Sequence, residues 1–206
     1  MSIIKLITGK LSSSIEKKGT ASFVVSGGTS PIKVFDQLSN VDLPWSKVHI
    51  TLVDDRLVEP KNHNSNQKLI SEFFLKNKAK TARFFPLSEN LIFKKDIFKL
   101  PFDVTLLGMG EDGHFASLFP NMIDNFDALN IQADFKIFKT SPHGEPFLPR
   151  ITMNLSLIMS SELIILLVKG QAKQNILELA KNDETYPIHY LLKNKHKNFI
   201  IEKINE

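Results

Sequence analysis

No cysteine occurs in the 206 residues. Disulfides, thiolate metal sites and cysteine nucleophiles are excluded together, and the composition suits a reducing compartment. Long apolar runs are also missing. The opening Met1-Ser-Ile-Ile-Lys-Leu-Ile-Thr-Gly is too short for a secretory h-region, and no stretch approaches the length of a membrane span. A cytoplasmic protein without a membrane partner is the expectation. Six histidines are present, at 49, 63, 114, 143, 189 and 196, but no two have the H-x-x-x-H spacing of a helical zinc site. No metal and no organic cofactor is expected. A basic stripe interleaved with exposed aromatics is lacking, so nucleic acid is not an expected partner. Repeats, low-complexity tracts and a dividing linker are absent too. The reading is a single domain over residues 1–206.

What remains is ordinary globular composition, 42% hydrophobic and 23% charged. The net charge of +4 comes with small lysine clusters at Lys76–Lys80 and Lys193–Lys197, which read as solvated surface. A modest positive balance favours a small anionic substrate. The composition leaves the choice between monomer and weak homodimer open.

Strand and helix patterns alternate along the chain. Ala21 to Val25 reads as a strand ended by Ser26-Gly-Gly-Thr-Ser-Pro31. Pro31 then reads as the first residue of a helix capped by Thr29 or Ser30. Val48 to Val53 is a strand bounded by Asp54-Asp55-Arg56, a charged cluster that cannot lie in a sheet core. Ser65 or Asn66 caps a helix bearing Leu69, Ile70, Phe73 and Phe74. Arg83 to Leu87 is a short strand, Leu91 to Leu100 fits neither pattern, and Asp103 to Leu107 is a buried strand. A strand is also expected near Lys136–Phe138. Ser141 to Pro149, with three prolines and a glycine, predicts a loop. Leu163 to Val168 is apolar throughout, the mark of a strand buried on both faces. Helices over Gln171–Ala180 and Pro187–Leu192 and a strand over Asn198–Ile201 complete the chain. This alternation predicts an α/β fold: a three-layer αβα sandwich around a mostly parallel sheet, with Rossmann-like topology.

The most informative stretch is Leu106 to Pro120, Leu-Leu-Gly-Met-Gly-Glu-Asp-Gly-His-Phe-Ala-Ser-Leu-Phe-Pro. Gly108-x-Gly110-x-x-Gly113 formally matches the dinucleotide fingerprint, with Asp134 at about the right distance. That fingerprint needs a crossover helix directly after its third glycine, and Pro120 comes too soon for more than one or two turns. The missing helix argues against a nicotinamide site. Ligands of open α/β sheets sit beyond the carboxyl ends of strands. His114 stands at such an end among glycines with an acid, Asp112, two residues before it, which makes it the candidate general base.

Three further stretches suit an anion. Ser26-Gly27-Gly28-Thr29-Ser30 leads into a helix amino terminus whose N–H groups are free, although the Gly-Lys-[Ser/Thr] ending of a Walker motif is missing. Arg56 offers a planar fork for phosphate or carboxylate. Arg150 leaves the proline-rich stretch, and Lys173 sits in a first helical turn, where a cation works against the dipole. The candidate binding set is Ser26, Gly27, Gly28, Thr29, Asp54, Arg56, Gly113, Arg150 and Lys173.

Taken together, Ser26–Pro31, Val53–Val58 with Asn64-Ser-Asn66, Leu107–Pro120, Arg150-Ile-Thr152 and Gly170–Lys173 resemble the 6-phosphogluconolactonase family, in the family's order and over nearly the whole chain from Ser22. Gly-His-x-Ala-Ser-Leu-Phe-Pro is the most specific segment. The resemblance implies a fold shared with glucosamine-6-phosphate deaminases and ribose-5-phosphate isomerases. It implies hydrolysis of 6-phospho-D-glucono-1,5-lactone to 6-phosphogluconate, the second step of the oxidative pentose phosphate pathway, without metal or cofactor. By position, His114 would activate water and Asp112 would help to position it. Gly27, Gly28, Arg56, Arg150 and Lys173 would hold phosphate or the sugar acid. The chain departs from the family at Asp55, where glutamate is usual, and at Phe115, where threonine is usual. A short segment before the first glycine loop predicts a curtailed first helix. Two rival readings stand: a sugar-phosphate deaminase or isomerase, for which His143 would be the second histidine, and a non-catalytic sugar-phosphate sensor. The deaminase family follows Gly-His with Ile-Ala-Phe-Asn, unlike this chain.

Overall fold

The computed structural model describes residues 2–91, 97–194 and 196–204, so half of the unassigned stretch Leu91 to Leu100 lies outside the described residues. The first helix, α1 (Ile3–Lys18), is not curtailed but runs sixteen residues. Ser2 caps it by accepting from Lys5 N, and Gly19 ends it in the left-handed region at φ 82, its N–H donating to Ile15 O. Ile7, Leu11 and Ile15 recur every four residues and are buried, one apolar stripe laid on the sheet.

That sheet has six strands in the order β4 (Arg83–Phe84), β2 (Val48–Leu52), β1 (Ala21–Val25), β5 (Val104–Gly108), β8 (Ile164–Lys169) and β9 (Phe199–Ile204). Every pairing within it is parallel. The unbroken apolar runs follow from burial on both faces. In β8, Ile165 and Leu167 join α1 and α2 (Ile32–Ser39), with α3 (Asn66–Phe73) beside them, in one cluster. Ile164, Leu166 and Val168 point the other way, into a second cluster with α5 (Leu155–Met159), α6 (Gln171–Leu179) and α7 (Pro187–Lys193). The three layers expected from the sequence follow from this alternation. Strand order reverses between β1 and β5, whose connections leave on opposite sides. Their carboxyl ends therefore open a crevice at a topological switch point.

A second, antiparallel sheet departs from the sequence reading. Asp54–Arg56 is a short strand, β3, paired with β7 (Leu148–Met153), which pairs in turn with β6 (Ile137–His143). The expected loop from Ser141 to Pro149 is thus two strand ends around a tight turn. Its prolines fit because the register shifts between Thr140 and His143, and a bulged ladder tolerates a missing donor. The charged cluster avoids the sheet core, as its composition requires, by forming a different sheet at the rim. A four-residue helix, α4 (Phe126–Leu129), precedes β6. Helix α2 begins at Ile32 with Pro31 in the cap position and no side-chain cap, so neither Thr29 nor Ser30 serves as one. Ser65 caps α3 as expected, accepting from Lys68 N. No described helix is long and apolar enough to cross a membrane.

Candidate active site

The crevice between β1 and β5 is a cavity of about 290 Å³. Ser26, Gly27, Gly28 and Thr29 line it from the β1 end, Asp54 and Arg56 from β3, Arg150 from β7, Lys173 from the first turn of α6, and His114 from the loop after β5. Nine of the eleven sequence candidates therefore meet around one space. Asp112 stands behind His114. Gly113 does not face the cavity: it lies against Tyr186, and its carbonyl accepts from Ile188 N at 2.9 Å. Its work is to tie the loop to α7. Close backbone approach explains Gly27, where a Cβ would come within 2.0 Å of Asn66 Oδ1.

The loop after β5 makes a turn closed by Gly110 N to His114 O at 2.8 Å and Gly113 N to Gly110 O at 3.2 Å. No crossover helix follows; a three-residue 3-10 turn begins at Pro120. His114 Nδ1 lies 2.5 Å from Asp112 Oδ1, which also accepts from the His114 N–H at 3.2 Å. A donor Nδ1–H leaves Nε2 with its lone pair, and Nε2 has no partner among the described residues. Burial alone would raise the Asp112 carboxyl. The hydrogen bond and charge of His114 outweigh that and hold it below the usual carboxylate range. Gly110 sits against the imidazole edge, where a Cβ would be 2.2 Å from Cε1.

Arg56 and Arg150 are direct partners across the β3–β7 pair. Arg56 Nη1 donates to Asn64 O at 2.8 Å and to Asn66 Oδ1 at 3.3 Å, and its buried Nε has no partner among the described residues. Arg150, 3% exposed, donates Nε to His143 O and an Nη to Pro146 O, each at 3.0 Å. Its pKa is pushed down, first by burial and then by the Arg56 charge. Two guanidinium groups held by carbonyls and an amide, rather than by carboxylates, leave positive charge uncancelled beside the cavity. Asp54 is the nearby acid, and one of its oxygens accepts from Ser117 Oγ at 2.6 Å.

The two departures from the family pattern fall outside the cavity lining. Asp55 turns to α3 and accepts from the N–H groups of Arg56, Asn66 and Gln67. Burial nevertheless raises its pKa. Phe115 is fully buried in the second apolar cluster. The lining residues outside the candidate set are Ser30, Asn66, Met109 and Ala116, together with Gly108 and Gly110, the glycines among which His114 stands. Asn66 does carry a signal, the Asn64-Ser-Asn66 motif of the resemblance ten residues after Arg56, but nothing in that motif assigns it to the cavity wall. Ala116 belongs to the most specific segment of the resemblance, but its left-handed φ of 51 is invisible in an alanine.

Comparison with known proteins gives the family of the chain. A family profile described as glucosamine-6-phosphate isomerases/6-phosphogluconolactonase matches residues 1–201. The chain belongs to that family. Among its relatives, the 6-phosphogluconolactonase of Caulobacter vibrioides is 34% identical over 91% of this chain and 85% of its own length. That of Neisseria meningitidis serogroup A is 34% identical over 96% and 90%. The crystal structure of a 6-phosphogluconolactonase from Shewanella baltica superposes with a TM-score of 0.85 at 32% identity, covering 99% of this chain and 91% of that one.

Proposed function

We propose that this protein hydrolyses 6-phospho-D-glucono-1,5-lactone to 6-phospho-D-gluconate. One observation carries the reading: His114, whose Nε2 has no hydrogen-bond partner among the described residues, lines the same cavity as Arg56, Arg150 and Lys173. A base and an anion cradle one small molecule apart are what a phosphorylated ring ester needs. Asp112 keeps the proton on Nδ1. Nε2 takes a proton from water as the water oxygen attacks the lactone carbonyl carbon. The bond from that carbon to the ring oxygen breaks, and the ring oxygen leaves with the proton from His114. The ester is already activated, so positioning and charge supply the rest. The cationic groups and the Ser26–Thr29 loop hold the phosphate, whose binding orients the distant carbonyl. No step calls for a cofactor, and a cytoplasmic setting suits a cysteine-free sugar-phosphate enzyme.

The deaminase alternative rested on His143. That ring lies outside the cavity lining, with Nδ1 2.9 Å from Ser141 O and Nε2 2.8 Å from the Asn121 amide. Both nitrogens are engaged, so it is not poised as a second base. The deciding experiment incubates purified protein with freshly made lactone and, separately, with glucosamine 6-phosphate. Proton release above the spontaneous rate with the lactone alone is expected. Ammonia from the amino sugar would establish the deaminase, and binding of 6-phosphogluconate without turnover of either compound would establish a sensor.

A further inference from the structure

Phe119 touches neither the cavity nor solvent: it is 3% exposed and absent from the lining. It does touch the groups on which the lactonase reading depends. Its ring centroid lies 4.7 Å from that of His114, with the planes 36° apart. The Arg150 guanidinium carbon stands over the ring at 5.2 Å from its centroid. His143 stacks on it at 5.5 Å and 23°. At the ring's edge is Gly144, in the turn between β6 and β7, where an added methyl would come within 2.8 Å of Cε1.

We infer that Phe119 is a positioning residue for the hydrolysis, setting the plane of the His114 imidazole and the place of the Arg150 guanidinium from a single rigid ring. The inference rests on the lactonase reading. His114 has one hydrogen bond to fix it, at Nδ1. A ring held at one corner still swings about its side-chain torsions, and Nε2 would sweep away from the water it must deprotonate. Gly110 bounds one edge of the imidazole, and the Phe119 ring supplies the surface that stops the swing. Arg150 is secured in the same way. Two carbonyls of its own hairpin hold one side of the fork, and the Phe119 face, with the negative potential of an aromatic ring, receives the cation. His143, held between Ser141 and Asn121, keeps Phe119 itself from tilting. The base and the anion-binding arginine come from segments far apart in sequence, and this ring is where they meet.

A phenylalanine that merely fills the core would be replaceable by another apolar side chain. The test uses Phe119→Leu and Phe119→Met, which keep apolar volume and remove the aromatic face. Wild-type turnover of the phosphorylated lactone is measured first and tests the lactonase reading by itself. Within protein that turns over, both variants should fold, as judged by thermal melting, and should lose about 10-fold in kcat, the scale of a modest misalignment of reacting groups. Affinity for 6-phosphogluconate should weaken several-fold through Arg150. The decisive comparison is a double-mutant cycle. In a His114→Asn background, Phe119→Leu should leave the residual kcat at saturating lactone unchanged, because there is no base left to misplace, while the loss of affinity through Arg150 persists. Imidazole nitrogen NMR gives a readout independent of activity: a single Nδ1–H state for His114 in the wild type, broadened by exchange in Phe119→Leu. Full kcat in both variants would overturn the inference. So would an equal fall in the two backgrounds, or an unchanged His114 signal.

Discussion

At the scale of single residues, His114 divides its work between two nitrogens. Nδ1 is occupied by Asp112, and Nε2, without a partner among the described residues, is left to the chemistry of the cavity that His114 lines. A base must be neutral to accept a proton, so kcat/KM should fall on acidification. Asp112 does not reverse that trend within the working range. Its carboxyl titrates below the usual value, so the charge that holds the ring persists until the pH has fallen through that lowered value. His114→Asn keeps a polar side chain of similar reach without basicity. It should bind 6-phosphogluconate as before and lose roughly 10²- to 10⁴-fold in kcat, the usual share of a positioned base. Turnover near normal, after subtracting spontaneous hydrolysis, would refute the proposed base. Arg56 invites a parallel test. Its Nε is buried without a partner among the described residues, and a substrate phosphate is the natural acceptor. Removing a charged hydrogen bond costs about 1.5–3 kcal/mol, so Arg56→Ala should lower kcat/KM by about 10- to 100-fold. Unchanged kinetics on the phosphorylated lactone would take Arg56 out of the site.

At the scale of elements, the main sheet and the rim sheet obey different rules. The parallel strands are held by burial on both faces, and one buried acid pins their far end. Asp103, 3% exposed, accepts from Ser22 N and Oγ at the start of β1 and from Lys18 Nζ at the end of α1. Asp103→Ala would strand the Ser22 N–H. The expected cost is about 2–4 kcal/mol, held to that range because Lys18 is 35% exposed. For a chain of this size that lowers Tm by roughly 4–16 °C. The cavity lies at the opposite strand ends, so KM at 25 °C should not move. A large change in KM with an unchanged Tm would contradict this division of labour. The same difference decides what could be read in the sequence. Leu163–Val168 and Ala21–Val25 betray themselves because burial on both faces demands continuous apolar residues. β3, β7 and the far half of β6 do not, although the start of β6 was expected near Lys136–Phe138: Asp54, Arg56 and Arg150 face a cavity, and Pro142 sits where the register shifts. Asp54, Arg56 and Arg150 were legible as chemistry, but not as members of one sheet. That pairing depends on a contact between segments nearly a hundred residues apart.

At the scale of the whole molecule, charge connects the surface to the site. The chain carries 26 Lys and Arg against 22 Asp and Glu, and Arg56, Arg150 and Lys173 line the cavity with Asp54 as the acid among them. A phosphomonoester carries close to two negative charges at pH 7. The field of such a protein should draw the substrate in and raise its encounter rate. Surface contributions to that field are screened over about 10 Å at 0.1 M salt, whereas contacts made inside the cavity are screened far less. Salt should therefore act on capture and leave the chemical step alone. Between about 20 mM and 0.3 M salt, kcat/KM for the phosphorylated lactone should fall several-fold while kcat stays nearly constant. Glucono-1,5-lactone without the phosphate is the control. It feels no steering, so its much smaller kcat/KM should be flat across the same range. A phosphorylated substrate whose kcat/KM ignores salt would show that the positive balance is surface solvation only. An equal fall for both lactones would show a general effect of salt on the enzyme, and the arginine pair would then have no claim to recruiting the phosphate.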